Sequence, residues 1–225
     1  MKNADQTRAK SDDRLSLRML VAAGVLSAFA VVGSTLVSFT EGRTRDQIAA
    51  NERAYLLRSL NDVLPESAYD NEMFTDTIQV IDMELLGSED PVTIYRARMA
   101  GQPVAAILTP VAPKGYGGPI RLLVGITTAG VITGVRVVSH RETPGLGDVV
   151  EIERSDWLRG FDDLSMGNPP EKRWAVKRDG GDFDQFTGAT ITPRAVVNAV
   201  RDALIYFSEN SDAIFAPSIP VPDGE

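Results

Sequence analysis

The residues best suited to chemistry lie in one short turn, Thr187-Gly188-Ala189-Thr190, which follows the acidic residue Asp184. Gly188 and Ala189 carry almost no side chain, so a bulky group can approach the backbone closely between the two threonine hydroxyls. The spacing therefore predicts an attachment or binding site at this turn, with the hydroxyls of Thr187 and Thr190 as its reactive groups.

A helix is predicted to begin directly after this turn. Thr192 is a good N-cap, and Pro193 suits the first helical position because its missing N–H would have no partner there. The free N–H groups and the positive end of such a helix would lie within one turn of Thr190, which favours a phosphate or another anion at that hydroxyl. The same residues are also typical of an ordinary capped helix after a surface turn, so this motif alone leaves both interpretations open.

A second unusual stretch runs from His140 to Asp148 in the order His-Arg-Glu-Thr-Pro-Gly-Leu-Gly-Asp. The glycines on either side of Leu146 predict an irregular, exposed turn whose N–H groups are free to meet a ligand. The alternative is a loop that is held together by its own polar side chains. His140 is the only histidine of the chain, and no cysteine or serine motif gives it a nucleophile to activate, so we predict no catalytic residue.

Composition excludes several classes of function. The chain has 225 residues, enough for one domain and an accessory segment, and it contains no cysteine. Disulfides, thiolate ligands for zinc or iron–sulfur clusters and a cysteine nucleophile are therefore excluded. With a single histidine as well, we predict no metal site. The net charge of -8, with no basic stripe, argues against a nucleic-acid partner.

The N-terminal region predicts a membrane anchor. Residues 1–18 are a basic leader, expected in the cytoplasm, and residues 19–40 are 22 consecutive residues without a charge. As a helix this run would be about 33 Å long, enough for a hydrocarbon core of about 30 Å. A cleaved signal peptide is the alternative, but the Ala28-Phe29-Ala30 sequence that resembles its cleavage site lies in the middle of the run. We therefore predict a transmembrane helix in contact with lipid. The leader favours an N-terminus inside, which four arginines after the span oppose: Arg43, Arg45, Arg53 and Arg58.

Beyond the anchor, residues 41–76 are predicted as a membrane-proximal helical segment, with a helix from Thr44 to Leu64 that Pro65 ends. Residues 77–210 are predicted as one domain of the α+β class, a mostly antiparallel sheet flanked by helices. The most strongly marked hairpin turns at Ala129-Gly130. The five predicted strands are Thr77–Leu86, Val92–Met99, Val104–Ala112, Ile120–Thr127 and Val131–Ser139.

The second half of the domain is predicted to be less regular. Ser155 is expected to cap a short helix that ends at Phe161, and Trp174–Arg178 to form a last strand. The final helix is predicted from Pro193 to about Ser208, and the proline-rich residues 211–225 as a disordered tail. The apolar face of that helix carries Val196, Val197, Val200, Leu204 and Phe207. The glycine-rich residues 113–119 lack the residue order of a phosphate loop and are predicted as a hairpin loop.

Together these motifs resemble the RnfG family, the FMN-binding G subunits of the Rnf (Rsx) membrane electron-transport complex. More distantly they resemble the C subunits of the sodium-translocating NADH:quinone reductase. Residues 187–190 match the S/T-G-A-T flavinylation motif, and Asp184 matches the acidic start of the sequence that the flavin transferase recognises. Residues 140–148 match the H-x-E-T-P-G-L-G-D loop, and residues 174–184 are also similar to the RnfG family. The resemblance covers most of residues 15–210.

The resemblance implies that Thr190 carries FMN through a phosphoester to its hydroxyl. It also implies a relay of electrons between NAD(H) and ferredoxin that is coupled to ion translocation, with the flavin domain on the periplasmic side of the bacterial inner membrane. The implied partners are the other subunits of the complex and, during maturation, the flavin transferase. Glu142, Thr143 and Leu146 are expected beside the ring, and Lys177 as a donor to the ring or the phosphate. The other residues expected at the cofactor are His140, Gly145, Asp184, Thr187, Gly188 and Ala189.

Three alternatives stay open. One is the FMN-carrying C subunit of the quinone reductase. The others are a non-redox, membrane-anchored binding module and a hydrolase that uses a serine or threonine with His140. Both of the latter predict a colourless protein.

Overall fold

The computed structural model describes residues 2–217, with the side chains of the first helix described from residue 23 on except at 46, 49 and 52. The chain divides into two compact units between Ala54 and Tyr55. The predicted membrane-proximal segment, residues 41–76, therefore contributes to both units.

Helix α1 extends from Lys2 to Val63. Within it, Ala23–Arg45 is a stretch of 23 residues with a mean hydropathy of 1.7, long and apolar enough to cross a membrane. Its large apolar side chains, such as Phe29 and Leu36, are exposed, as a segment surrounded by lipid requires. The predicted span, 19–40, agrees with this stretch from residue 23 onward.

The helix that was predicted to begin at Thr44 is instead continuous with the rest of α1. A single glycine, Gly42, does not interrupt α1 because a glycine in a helix interior costs only about 1 kcal/mol. The hydroxyls of Thr40 and Thr44 donate to the carbonyls of Leu36 and Thr40, which are also the helical acceptors four residues earlier, and this slight perturbation does not interrupt α1. The predicted end is confirmed, because α1 stops at Val63, two residues before Pro65.

The second unit contains a six-stranded sheet in which every described pair of strands is antiparallel. The strands are β1 (Thr77–Asp82), β2 (Ser88–Met99), β3 (Gln102–Leu108), β4 (Val111–Ala112), β5 (Ile120–Thr127) and β6 (Ile132–Ser139). Their order in the sheet is β1-β2-β3-β5-β4, and β6 pairs with the edge of β5 that faces away from β3 and β4. This is the α+β fold that the sequence predicts.

One predicted strand is split and one predicted hairpin is confirmed. The strand expected over Val104–Ala112 is interrupted by Pro110, which has no N–H to donate, so β3 ends at Leu108 and β4 begins at Val111. The β5–β6 hairpin turns at Ala129-Gly130 as predicted, with Gly130 at a φ of 78°. The 113–119 loop joins β4 to β5, which are antiparallel, so its prediction as a hairpin loop is also confirmed.

The sheet is buried on both faces. Leu122, Val124 and Ile126 of β5 belong to a core formed with the final helix, whereas Leu123, between them, belongs to a second core formed with Leu60 and Val63 of α1. The alternation along β5 therefore sends side chains into two cores. Gly125 and Gly134 form a cross-strand pair, and a Cβ on Gly125 would lie 2.5 Å from the side chain of Val63. The two glycines make room for the end of α1.

Helix α2 extends from Ile191 to Phe215, so it begins two residues before Pro193 and continues past Ser208. All five side chains of the predicted apolar face are buried. Its C-terminal end is held by the buried Arg96, which donates to the carbonyls of Ile214 and Ala216 at 3.3 and 2.8 Å and also pairs with Asp76. Residues 211–215 are therefore helical, in contrast to the predicted disordered tail, and residues 218–225 lie outside the described residues.

Between β6 and α2 the chain has little regular structure. The short helix at Asp156–Phe161 is 3-10, and the hydroxyl of Ser155 accepts from the N–H of Trp157, which confirms the predicted cap. The strand predicted over Trp174–Arg178 is wrong. Trp174 and Ala175 follow a 3-10 turn that ends at Arg173, Val176 makes a single bridge to Phe183, and a second 3-10 turn begins at Lys177. The chain folds back on itself there instead of joining the sheet.

Candidate functional site

A cavity of about 310 Å³ lies where the two motif-bearing stretches meet. Such a volume is at the lower end of the roughly 300–1,000 Å³ typical of small-molecule sites. The 140–148 loop forms part of its wall, and the segment from the predicted attachment turn into α2 forms another part. The lining residues are Tyr116, Glu142, Thr143, Leu146, Gly147, Gly188, Ala189, Thr190, Ile191 and Thr192. The structure thus brings together two stretches that are separated by some forty residues in the chain.

The attachment turn is a four-residue turn from Phe186 to Ala189. The N–H of Ala189 donates to the carbonyl of Phe186 at 3.1 Å, and Gly188 has a φ of 82°. A positive φ at the third position is the requirement of a type II turn, which glycine meets without strain. A Cβ on Gly188 would lie 3.6 Å from Cδ2 of Leu146, so a side chain at position 188 would touch Leu146 of the 140–148 loop.

A cluster of aromatic side chains packs against the attachment turn through Phe186. Phe186 packs edge-on against Trp157 with ring centroids 5.1 Å apart, and the indole N–H of Trp157 donates to the carbonyl of Asp184 at 2.9 Å. Phe161 lies edge-on to Trp157 and stacks on Phe183, with centroids 5.3 and 4.6 Å apart. Because such pairs add to the energy of area burial, the backbone on both sides of Asp184 is held firmly.

The N-cap of α2 is Thr190, and the prediction that Thr192 would be the cap is wrong. Thr192 is fully buried in the first turn, where its hydroxyl donates to Glu142 and cannot serve the backbone. The hydroxyl of Thr190 makes no capping hydrogen bond, and its side chain is half-buried at the cavity wall. The N–H groups of Ile191 and Thr192 belong to the first turn, whose donors have no partner within the helix.

Glu142 connects three parts of the cavity wall. Its side chain is buried; one carboxylate oxygen accepts from the N–H of Gly117 at 2.9 Å, and the other accepts from the hydroxyl of Thr192. The 113–119 loop, the 140–148 loop and the start of α2 are therefore joined through one carboxylate. Gly147 fits between two of these groups, because a Cβ there would lie 2.7 Å from Cβ of Glu142 and 3.1 Å from the hydroxyl of Thr192.

The 140–148 loop closes on itself through Asp148. This buried carboxylate accepts from the N–H of Gly145 at 2.7 Å, and the N–H of Gly147 donates to the carbonyl of Thr143 at 3.0 Å. Gly145 has a φ of 77°, a backbone conformation that favours glycine. No atom lies within 4 Å of a Cβ placed there, so lack of space is not the reason for a glycine at this position. The N–H of Leu146 also donates to the carbonyl of Thr143, at 3.1 Å, so the N–H groups of residues 145–147 all have partners within the loop. The prediction that these N–H groups are free to meet a ligand is therefore wrong, and the alternative, a loop held together by its own polar groups, is confirmed.

His140 lies at the base of this loop and does not line the cavity. Its Nδ1 accepts from the N–H of Glu142 at 3.0 Å, and its Nε2 lies 2.8 Å from a carboxylate oxygen of Glu151. A neutral ring that accepts at Nδ1 carries its proton on Nε2, where it can donate to Glu151. The only histidine of the chain thus anchors the loop, as a structural hydrogen-bonding residue does.

The remaining residues predicted at the site lie outside the cavity lining. Thr187 is exposed at the outer side of the turn, and Lys177 forms an exposed ion pair with Asp184 at 2.6 Å. Arg194, in the first turn of α2, pairs with Asp179 at 2.6 Å, and its hydrogen bond lowers the pKa of that carboxyl below the ordinary value. Among the ten described residues that line the cavity, none is a lysine or arginine.

Sequence reasoning does not place Tyr116, Gly147, Ile191 or Thr192 at the site. The signal for Tyr116 is its position between two glycines in the 113–119 loop, but that pattern by itself predicts only a hairpin loop. Ile191 and Thr192 could have been included because they directly follow Thr190. Nothing local marks Thr192 as a partner of Glu142, which is fifty residues earlier.

Comparison with known proteins identifies both regions of the chain. Residues 115–205 match the FMN-binding domain, and residues 16–63 match the RnfG N-terminal region. The first match contains all ten residues that line the cavity. A protein of Pseudoalteromonas atlantica, named as the G subunit of the ion-translocating oxidoreductase complex, is 46% identical over 194 residues, which are 86% of this chain and 90% of that protein. This chain belongs to the RnfG family.

Other relatives with the same name support this membership. One from Pseudomonas aeruginosa strain UCBPP-PA14 is 48% identical over 199 residues, 88% of this chain and 93% of its own length. One from Shewanella baltica strain OS223 is 44% identical over 192 residues, 85% of this chain and 91% of its own length. The resemblance to the RnfG family that the motifs indicate is thus confirmed over most of the chain.

The cavity fits one end of FMN in a specific way. The half-exposed hydroxyl of Thr190 and the first N–H groups of α2 are donors that suit a phosphate. Among the described residues that line the cavity, the one that carries a charge is the acidic Glu142, so none of them supplies a cation for a free phosphate dianion.

Proposed function

We propose that this chain is a membrane-anchored flavoprotein subunit that relays electrons through FMN, attached to Thr190 by a phosphoester. The complex would be an ion-translocating oxidoreductase that transfers electrons between NAD(H) and ferredoxin. The observation that carries the proposal is the position of the Thr190 hydroxyl. It lines the cavity of a domain that matches the FMN-binding family, it makes no capping hydrogen bond, and it lies at the start of α2.

The side chains around Thr190 have separable roles in this proposal. Bound FMN supplies reversible electron transfer, which no side chain of this protein provides. Thr143 and Leu146 line the cavity as neighbours of the cofactor, and Glu142 holds the walls together through Gly117 and Thr192. Gly188 keeps the turn in its positive-φ conformation, which presents the Thr190 hydroxyl to the cavity.

We propose a different role for the exposed pair of Lys177 and Asp184. The pair lies outside the cavity, and both side chains are more than half exposed, so it is accessible to another protein. An exposed acidic residue just before the attachment turn suits recognition by the flavin transferase. For Lys177 to donate to the ring or the phosphate, it would have to leave Asp184, which costs little because surface ion pairs are weak.

The direct test is the covalent state of two threonine variants. The full chain is expressed with the flavin transferase and measured by intact-protein mass spectrometry. Wild type should gain the mass of one FMN less one water, and Thr190→Ala should lose this adduct completely and retain no flavin after purification, because the cavity lining holds no cation for the phosphate. Thr187→Ala is the matched control and should still be modified. An adduct on Thr190→Ala that is missing from Thr187→Ala would move the attachment to the other hydroxyl.

The location of the flavin domain is part of the same proposal. The helix Ala23–Arg45 and the basic leader support an inner-membrane anchor with the domain on the periplasmic side. A reporter that is active only in the periplasm should work when it is fused after Glu225. Activity of a reporter that works only in the cytoplasm would reverse this topology.

The alternative functions predict different colours for the purified protein and different partner subunits. A non-redox binding module or a hydrolase would be colourless, whereas the flavoprotein should be yellow and should stay fluorescent on a denaturing gel. The C subunit of the sodium-translocating quinone reductase would also be yellow. The match to the RnfG N-terminal region and the relatives at 44–48% identity favour the Rnf complex, and co-purification of its other subunits from the native membrane tests this.

A further inference from the structure

Three large apolar side chains at the cavity are exposed to solvent. Tyr116 is 70% exposed, Ile191 45% and Leu146 44%, and each of them lines the same cavity. Single exposed apolar residues are common, but a group around one concave site indicates a surface that binds something. We call these three residues the apolar rim.

The side chain of Tyr116 is exposed, and the backbone on both sides of it is closely packed. It lies between Gly115 and Gly117, and neither glycine has room for a side chain. A Cβ on Gly117 would lie 1.8 Å from the carbonyl oxygen of Arg141, and one on Gly115 would lie 2.3 Å from that of Gly118. The N–H of Gly117 is also bonded to the buried carboxylate of Glu142. This packing positions an aromatic side chain that makes little contact with the protein core, and such an arrangement favours a ligand-binding role over a folding role.

The other two members of the apolar rim lie close to the attachment point. Ile191 directly follows Thr190 and is the first residue of α2, and Leu146 lines the same cavity as Gly188, with its Cδ2 3.6 Å from where a Cβ on Gly188 would lie. The polar end of a ligand attached at Thr190 would lie against the first N–H groups of α2, and its apolar end would lie against the rim. Flavin has this distribution of polarity, with a phosphate at one end and a flat aromatic ring system at the other.

We infer that the apolar rim is the contact surface for the isoalloxazine ring of the attached flavin, with Tyr116 providing an aromatic face and Ile191 an aliphatic one. The inference rests on the proposed function, and it adds Tyr116 and Ile191 to the residues that surround the cofactor. The cavity, at about 310 Å³, is small for a site of this kind. Because the rim side chains are themselves exposed, a ring that lies against them is partly open to solvent, where a redox partner can reach it.

The experiment compares loaded variants of the full chain, expressed with the flavin transferase. Intact mass first shows that each variant carries one FMN. Fluorescence and visible circular dichroism of the attached flavin are then measured, because contact with a tyrosine quenches flavin emission and a fixed ring has induced dichroism. In Tyr116→Ala the emission should rise by roughly two- to tenfold, since an aromatic contact of ordinary strength shifts the stacked population by about that factor. The induced dichroism should be weaker in Tyr116→Ala than in wild type, and Tyr116→Phe should retain most of it.

Two isoleucine variants provide a matched control. Ile191→Ala should reduce the dichroism, whereas Ile81→Ala, which changes an isoleucine that is 65% exposed on β1 and lies outside the cavity lining, should not. If Tyr116→Ala and Ile191→Ala are fully loaded and their spectra equal those of wild type, the apolar rim does not contact the ring and the inference fails while the proposed function stands. If wild type carries no adduct, the proposed function fails, and the inference fails with it.

Discussion

The hydrogen bond between Thr192 and Glu142 gives the most quantitative prediction. Thr192 is fully buried and Glu142 is 5% exposed, so neither group can exchange its partner for water without opening the structure. Thr192→Val replaces the hydroxyl with a methyl group of similar size and leaves the carboxylate with Gly117 as its other donor. A hydrogen bond to a charged group is worth about 1.5–3 kcal/mol, which is therefore the expected loss in the free energy of unfolding.

This loss should be measurable as a change in melting temperature. A domain of 150–250 residues loses about 2–4 °C for each kcal/mol, so the expected decrease is about 3–12 °C. Thermal unfolding of the full chain in detergent, followed by near-ultraviolet circular dichroism, reports on the second unit because the aromatic cluster of Trp157, Phe161 and Trp174 belongs to it.

Two control variants separate the hydrogen bond from packing. Thr192→Ser keeps the hydroxyl and loses one buried methyl group, which costs about 0.8 kcal/mol. Thr187→Val changes a threonine that is exposed on the attachment turn and should alter the free energy by no more than about 0.5 kcal/mol. A Thr192→Val variant as stable as wild type would show that the hydrogen bond does not stabilise the fold. A coupling below about 0.5 kcal/mol in a double-mutant cycle with Glu142→Gln would have the same meaning.

Two further predictions follow from the backbone and from the charges. Gly145 and Gly130 have φ values of 77° and 78° and open space around them, so Gly145→Ala and Gly130→Ala should each cost about 1–2 kcal/mol. Only Gly145→Ala should alter the visible spectrum of the attached flavin, and equal spectra would make the 140–148 loop merely structural. Burial raises the pKa of the Asp162 carboxyl, and this effect exceeds the opposing influence of Arg136 and Arg159. A raised pKa in the folded state means that stability is lost as the pH rises through it, so Asp162→Asn should increase the melting temperature at neutral pH. The gain should shrink as the pH falls toward about 4, the ordinary value for aspartate, and a gain that does not depend on pH would contradict the assignment.

Local patterns predicted the parts of the fold that local forces determine. The β5–β6 hairpin, the apolar face of α2 and the cap at Ser155 each depend on residues within a few positions of one another, and all three are confirmed. The strand predicted over Trp174–Arg178 shows where local patterns are no longer sufficient. Trp174 and Val176 are buried, as an alternating strand requires, but Trp174 packs against the rings of Phe161 and Phe183. Val176 makes a single bridge to Phe183 instead of pairing with a sheet edge.

At the candidate site the same limit applies to the helix cap. Thr190 and Thr192 are both acceptable caps by residue type, and a local rule cannot choose between them. The choice is made by Glu142, which takes the hydroxyl of Thr192 from fifty residues away. The motifs were sufficient to locate the two stretches that meet at the cavity. They could not indicate that a third stretch, the 113–119 loop, completes the cavity wall through Tyr116.

The crowded glycines around the cavity also determine which changes evolution can accept there. At Gly117 and Gly147 even a methyl group would collide with the backbone or with Glu142, so almost any amino-acid replacement would displace a wall of the site. Tyr116 and Leu146 are their immediate neighbours, and these side chains are exposed, so a replacement there alters the surface without moving the loops. Substitutions at Tyr116 and Leu146 can therefore change the polarity and shape of the cavity surface, while the glycines keep the distances between its walls the same.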